Sequence, residues 1–254
     1  MYSDCVASHR YAVFFIIFYK SLKNTYILCI DTSTEVCTVA LACDNVLLAS
    51  RENADGRSHA QMLLPYIDEV LQEAGVKPAQ LSAVAIGMGP GSYTGLRIGT
   101  STAKGLCYAL SVPLIAIPTL RIIAAGAVAM SPADDTTLFC PLLDARRMEV
   151  YSELFDRQLT SLSSFQSIIV DEKSFDDLLG KNKVVFCGNG MEKCRPLLQS
   201  KANALFCDAP LSARNMVSLA FEDFQQQKFA DTAYFEPLYG KEYHAAKPHV
   251  KGLR

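Results

Sequence analysis

Residues 26–31, YILCID, form a continuous apolar run closed by an acid. After short polar gaps come VCTVALA (36–42) and NVLLAS (45–50). Three such runs in succession predict three strands joined by hairpins. The period then changes. From Ser58, SHAQMLLPYIDEVLQEAG sets Leu63, Ile67, Val70, Leu71 and Ala74 on one helical face, and Gly75 supplies a stop. LSAVAIGMG (81–89) reads as a fourth strand, Gly95 to Leu110 as a second helix and VPLIAI (112–117) as a fifth strand.

A second alternation begins near residue 130. LFCPLLDARRMEVYSELF (138–155) reads as two strands around a charged turn. SIIVDEKSFDDLLG (167–180), KVVFCGNG (183–190) and NALFCDAP (203–210) continue a β/α pattern, and a helix from Ser212 to Phe229 closes it. Three antiparallel strands followed by helix, strand, helix, strand is the plan of the ribonuclease-H-like α/β unit, doubled in actin-like proteins. The expected fold class is therefore α/β, two ribonuclease-H-like (actin-like ATPase) lobes, the second reduced because it is too short for a full copy with insertions. Residues 26–129 make lobe I, completed by the C-terminal helix at about 211–230. Residues 130–210 make the smaller lobe II, and 231–254 are a loosely ordered tail. Residues 1–25 are set aside as an extension outside the fold: YAVFFIIFY (11–19) is too short for a spanning helix of about 20 residues, and no signal-cleavage site follows it.

Composition narrows the chemistry. Half of the 254 residues are hydrophobic, enough for a sizeable core, and the net charge of −2 gives no broad basic field for autonomous nucleic-acid binding. The nine cysteines include no CxxC pair and sit mostly in apolar runs, the pattern of small buried hydrophobes in a reducing cytosol. Neither a structural metal nor a disulfide framework is expected.

GMGPGSYTGLRIG (87–99) holds five glycines. It is not a Walker loop, because Leu96 follows Gly95 where a lysine is needed. Nor is it a dinucleotide fingerprint, because the glycine spacing is wrong. Gly89, Pro90 and Gly91 instead make good turn chemistry, Ser92 or Thr94 can cap the following helix, and free N–H groups there could still hold an anion. Gly95, Gly99 and Ala103 recur every four residues on one helical face, where glycine costs about 1 kcal/mol against alanine and so marks a close backbone approach. That approach is either to the chain's own sheet or to a partner helix.

A metal-binding helix would need HxxxH, but the position one turn after His59 is Leu63, and the other histidines lie near the chain ends. IDTST (30–34) is similar to the first phosphate loop of actin-like ATPases, so Asp31, Thr32, Ser33, Ser92 and Thr94 are candidate phosphate or nucleotide contacts. The plain alternative is a hairpin whose Asp31 caps its own turn. A second phosphate loop is missing apart from CGNG (187–190), with Asn189 where an acid would be useful.

YILCIDTST, GRSHAQMLLPYIDEVL, GMGPGSYTGLRIGTSTAKGL, PLIAIPTL and DARRMEVY together resemble the bacterial TsaB (YeaZ) family, over residues 26 to about 151. Met148 stands where that family often has glycine. The resemblance implies a two-lobed actin-like protein, inactive alone, serving threonylcarbamoyladenosine modification of tRNA beside the anticodon. It implies a TsaD-like paralogue carrying the HxxxH metal site as transferase, and a TsaE-like ATPase docking on the pair. It further implies a cytoplasmic protein, no catalytic residues or metal in this chain, no tightly bound cofactor although ATP or ADP enters the complex, tRNA contact only through the complex, no membrane, and a homodimer when alone. The partner face is expected on the first two helices, at Met62, Tyr66, Glu69, Gly95, Gly99 and Ala103. Two other readings remain: an active actin-like ATPase or kinase using Asp31, and a peptidase, for which no nucleophile–base pair is evident.

Overall fold

The computed structural model describes residues 24–53, 59–132 and 134–240. The extension expected to stand apart from the fold therefore falls almost wholly outside the described residues, as does the end of the tail. The first lobe runs β1 (Tyr26–Asp31), β2 (Cys37–Cys43), β3 (Val46–Asn53), α1 (His59–Glu73), β4 (Leu81–Gly87), α2 (Tyr93–Leu110), β5 (Leu114–Ile117) and α3 (Thr119–Met130). The second runs β6 (Leu138–Asp144), β7 (Glu149–Ser152), β8 (Gln166–Ile169), α4 (Asp176–Leu179), β9 (Val184–Cys187), α5 (Met191–Leu198) and β10 (Ala204–Cys207), then a 3-10 turn (Ala213–Met216) and α6 (Val217–Gln225).

The first sheet has the order β3-β2-β1-β4-β5, and the second, read from its hairpin side, β8-β7-β6-β9-β10. In both, the first three strands pair antiparallel and the last two join in parallel. The second lobe is thus a topological copy, and its reduction lies in the connections. The helix between its third and fourth strands spans 4 residues, against 15 in α1.

Side-chain alternation explains the layering. In β1, Leu28 and Ile30 point to one face, where α1 contributes Leu63, Tyr66, Ile67, Val70 and Leu71 and α2 contributes Ala103 and Cys107. Ile27 and Cys29 point to the other face, where α3 contributes Ile122 and Ala125 and α6 contributes Val217, Leu219 and Ala220. A central strand covered on both faces must be apolar throughout, as YILCID is. α3 also meets the second sheet through Leu120, Ile123, Ala124 and Ala127 against Phe139, Leu143 and Val185. A helix between two sheets needs apolar residues nearly all round, and TLRIIAAGAVAM has them. Each lobe therefore ends in a helix that packs on the other lobe's sheet: α3 on β6 and β9, α6 on β1 and β5.

Two local expectations change. The closing helix is shorter than Ser212–Phe229, because Ser212 caps a 3-10 turn before α6 begins. Residues 231–240 are not loose. Lys104 Nζ donates to Ala233 O (3.0 Å) and Phe235 O (3.1 Å), and Leu238 N donates to Met88 O (2.7 Å). This strap crosses from α2 to the second lobe, where Gly240 lies so close to the Tyr151 ring that a β-carbon would fall 2.2 Å from Cζ.

Candidate functional site

The β1–β2 turn and the glycine loop fold onto each other at the C-terminal ends of β1 and β4. Asp31, Thr32, Ser33 and Thr34 are all buried. Asp31 Oδ1 accepts from Ser33 N (2.8 Å) and Ser33 Oγ (2.7 Å). Thr32 Oγ1 donates to Gly95 O (2.8 Å), and Thr34 Oγ1 accepts from Val36 N (3.2 Å). From the other side Ser92 N donates to Ser33 O at 2.6 Å. The glycines are required by this approach: a β-carbon on Gly91 would lie 2.2 Å from Ser33 O, and one on Gly95 would lie 2.1 Å from Thr32 O. Gly89 has φ +105°, a backbone conformation for which glycine is suited, and faces Leu238 O of the strap.

This arrangement engages the hydroxyls of Thr32 and Ser33 inside the chain rather than turning them toward a phosphate. Ser92 caps α2 by accepting from Gly95 N (3.3 Å), and with Thr94 it stands at the exposed edge. Asp31 Oδ2 is buried with no hydrogen-bond partner and faces Gly87, where a β-carbon would overlap it. Burial pushes the Asp31 carboxyl up to about 6, against the lowering effect of the two Ser33 bonds and of His59. A cation or nucleotide would need this carboxylate within reach, and it is fully buried. The residues present do not fit a phosphate-binding cradle in this arrangement.

Leu63, one turn after His59, is fully buried in the core. Among the described residues no three His, Cys, Asp or Glu side chains gather as a metal site would require. No helix among them is long and apolar enough to cross a membrane.

The partner strip expected on the first two helices needs correction. Gly95, Gly99 and Ala103 are buried against the first sheet and its turn, and a β-carbon on Gly99 would lie 2.2 Å from Thr32 Oγ1 and 3.1 Å from Ile86 Cδ1. Tyr66 belongs to the same core, and Met62 is half-buried against it. Glu69 is exposed but paired with Arg51 (2.7 Å). The outward faces carry other residues. Leu64 of α1 is 60% exposed and Tyr108 of α2 is 87% exposed. Ser101 and Gly105 of α2 are exposed as well, and Gly105 has nothing within 4 Å of where a β-carbon would stand.

Sequence reasoning missed the counterpart of the Asp31 turn. In lobe II the equivalent hairpin is Asp144–Met148, since β6 ends at Asp144 as β1 ends at Asp31. CGNG is instead its support: Asn189 Oδ1 accepts from Asp144 N (3.0 Å), and Gly190 N donates to Leu142 O (2.8 Å). Partial burial works to raise the Asp144 carboxyl, but the Lys193 hydrogen bond and Arg146 N outweigh it and hold it below the usual range. The signal was present as a strand–Asp–turn–strand repeat, YILCIDTSTEVCTV against LFCPLLDARRMEVY.

The family profile described as TsaD, tRNA N6-adenosine threonylcarbamoyltransferase, matches residues 49–246. The tRNA threonylcarbamoyladenosine biosynthesis protein TsaB of Escherichia coli is 32% identical over 84% of this chain and 93% of its own length. The chain belongs to the TsaB family. The TsaB protein of Haemophilus influenzae is 38% identical, over 51% of this chain and 53% of its own length, so that match spans about half of the relative. Among solved structures, a Pseudomonas aeruginosa protein described as similar to the peptidase YeaZ superposes with a TM-score of 0.73 at 28% identity, covering 85% of this chain and 100% of that one. The ADPNP-bound activator of 2-hydroxyisocaproyl-CoA dehydratase from Clostridium difficile, at 11% identity and TM-score 0.50 over 82% of this chain and 99% of that one, shares the two-lobed fold alone. The TsaB motifs thus sit on an actin-like frame whose first turn is packed shut.

Proposed function

We propose that this chain is a non-catalytic subunit in threonylcarbamoyladenosine modification of tRNA, acting by holding a TsaD-like transferase. The observation that carries the reading is the closed β1–β2 turn, with Thr32 Oγ1 on Gly95 O and Ser92 N on Ser33 O, in a fold whose relatives are named for this modification. Leu63 at the second metal-ligand position supports the same division of labour. Chemistry falls to the paralogue, a TsaE-like ATPase joins the pair, ATP or ADP enters with them, and tRNA is reached through the complex. The setting is cytoplasmic.

The docking face is the outer side of α1 and α2, at Leu64, Ser101, Gly105 and Tyr108. Exposed apolar side chains next to small ones allow close packing with two helices of a partner, or of a second copy when the chain is alone. The test is a pull-down of the TsaD-like paralogue with Gly105→Arg and Leu64→Arg. Both variants are expected to keep the wild-type circular dichroism spectrum and melting temperature and to lose the paralogue. Retention of the paralogue by both folded variants would place docking elsewhere. Robust ATP turnover by the chain alone, lost in Asp31→Ala, would replace the scaffold reading with that of an ATPase.

A further inference from the structure

Between α2 and the strap of residues 231–240 lies a groove of about 520 Å³, which meets the docking face at Ser101. Potential donors of α2 line it: Arg97, Thr100, Ser101 and Lys104. Of these, Arg97, Thr100 and Lys104 stand at positions i, i+3 and i+7, which share one side of a helix. Arg97 lies over the Tyr93 ring, 4.9 Å from its centre, a cation–π contact that engages the face of the guanidinium and not its N–H groups. Arg97 has no carboxylate partner among the described residues. Lys104 gives two of its three protons to Ala233 O and Phe235 O and keeps one. Thr100 is 6% exposed, and its Oγ1 has no hydrogen-bond partner. A buried hydroxyl left alone is costly, and threonine in a helix shares two χ1 rotamers, so a turn about χ1 offers the hydroxyl to the groove. The Tyr239 ring lies 4.9 Å from that of Tyr93 at a 40° tilt, both rings lining the groove, and Glu236 stands on the strap side.

We propose that this groove binds a small ligand with an oxyanion at one end, a phosphate ester or a carboxylate, and an ammonium or hydroxyl at the other. The oxyanion sits on the Arg97 guanidinium and the Thr100 hydroxyl, and Lys104 adds positive charge from the same side of α2. Bidentate guanidinium binding suits both kinds of oxyanion. Glu236 accepts from the ligand's far end and disfavours a bare multivalent anion. Because the groove has α2 on one side and the strap on the other, the bound ligand ties the C-terminal strap to the helix. The inference is independent of the scaffold reading and stands or falls by direct binding.

The experiment is isothermal titration calorimetry on the full chain with phosphoethanolamine, γ-aminobutyrate and inorganic phosphate. Wild type is expected to bind one equivalent of phosphoethanolamine or γ-aminobutyrate, the tighter of the two assigning the ester or the carboxylate, and inorganic phosphate more weakly. Arg97→Gln is expected to weaken binding at least about tenfold, and Thr100→Val about threefold to tenfold. Arg147→Gln, an exposed arginine on the other lobe, is expected to bind as wild type. Three results would each overturn the proposal: no saturable heat with either two-ended probe into the millimolar range, unchanged binding in a folded Arg97→Gln, or equal loss in Arg147→Gln.

Discussion

Three glycines on α2 face different surroundings, and alanine at each measures what that surrounding demands. At Gly105 nothing lies within 4 Å of an added β-carbon. Gly105→Ala is therefore expected to stabilise the chain by about 0.5–1 kcal/mol, the helix propensity difference alone. At Gly95 the β-carbon would lie 2.1 Å from Thr32 O, a backbone atom. Its turn is held by Asp31, Ser33 and Ser92, so relief requires moving that turn, at about 3 kcal/mol net. At Gly99 the nearest atom, at 2.2 Å, is Thr32 Oγ1, a side-chain atom, followed by Ile86 Cδ1 at 3.1 Å. Gly99→Ala is expected to cost about 2 kcal/mol, by displacing Thr32 from Gly95 O. Removing that hydroxyl should then absorb the added methyl. Thr32→Ala alone costs about 1–2 kcal/mol, and the double variant Thr32→Ala/Gly99→Ala is expected to cost no more than the larger single change. That is a coupling of about 1–2 kcal/mol. Thr32→Ala gives no such rescue to Gly95→Ala, whose clash is with the carbonyl. Urea unfolding followed by circular dichroism reads the wild type and all six variants, and the expected melting shifts are about 2–4 °C per kcal/mol at this chain length. Equal responses at Gly99 and Gly105, or strict additivity of Thr32→Ala and Gly99→Ala, would show that the glycine face does not meet the β1–β2 turn as described.

Asp31 makes stability depend on pH with an unusual sign. Its folded-state pKa of about 6 lies above the ordinary 3.8. The contribution is fully present below pH 3.8 and is lost as pH rises through about 6, a span worth about 3 kcal/mol at most. Asp31→Asn is expected to flatten the stability profile between pH 4 and 7, and an unchanged slope would acquit this carboxyl. Burial pushes the Cys29 and Cys140 thiols up to about 12 and Cys187 well above its ordinary value. Peptide-level mass spectrometry after alkylation at pH 8 should find these three protected in the native chain and labelled in urea, with half-buried Cys43 and Cys207 labelled first among the cysteines described. Lys193 holds both Asp144 and Glu149 O, so Lys193→Met is expected to speed hydrogen exchange across residues 145–149 while leaving β1–β2 unchanged.

Strand and helix existence could be read from apolar periodicity because each layer has a distinct demand. YILCID is apolar on both sides because helices cover both, and α1 shows a single stripe because solvent takes the other side. The doubled plan followed from element order. What sequence could not decide was the direction of small residues. Gly95, Gly99 and Ala103 announce a close approach, but no hydropathy scale distinguishes an approach to the chain's own turn from one to a partner. Tyr66 misled for a related reason: its ring packs in the core while its spacing places it at the edge of the stripe. The Asp144 hairpin could be read as a hairpin but not as the counterpart of the Asp31 turn, because its turn carries two arginines where the first lobe has hydroxyls. The strap was hidden because YFEPLYG is held mainly through backbone atoms, which composition does not reveal.

The exchange of closing helices sets a timetable for synthesis. β5 ends at Ile117, yet α6, which covers one face of the first sheet, begins at Val217. At about 5–20 residues per second the ribosome needs several to tens of seconds to make the intervening hundred or so residues. Throughout that interval Ile27, Cys29, Ala83, Ala85 and Ile115 lack part of their cover. The nascent first lobe is thus a natural client for chaperones that shield apolar β-surface. A premature stop anywhere before Val217 yields a chain with its sheet laid open, a substrate for proteolysis rather than a shorter functional lobe.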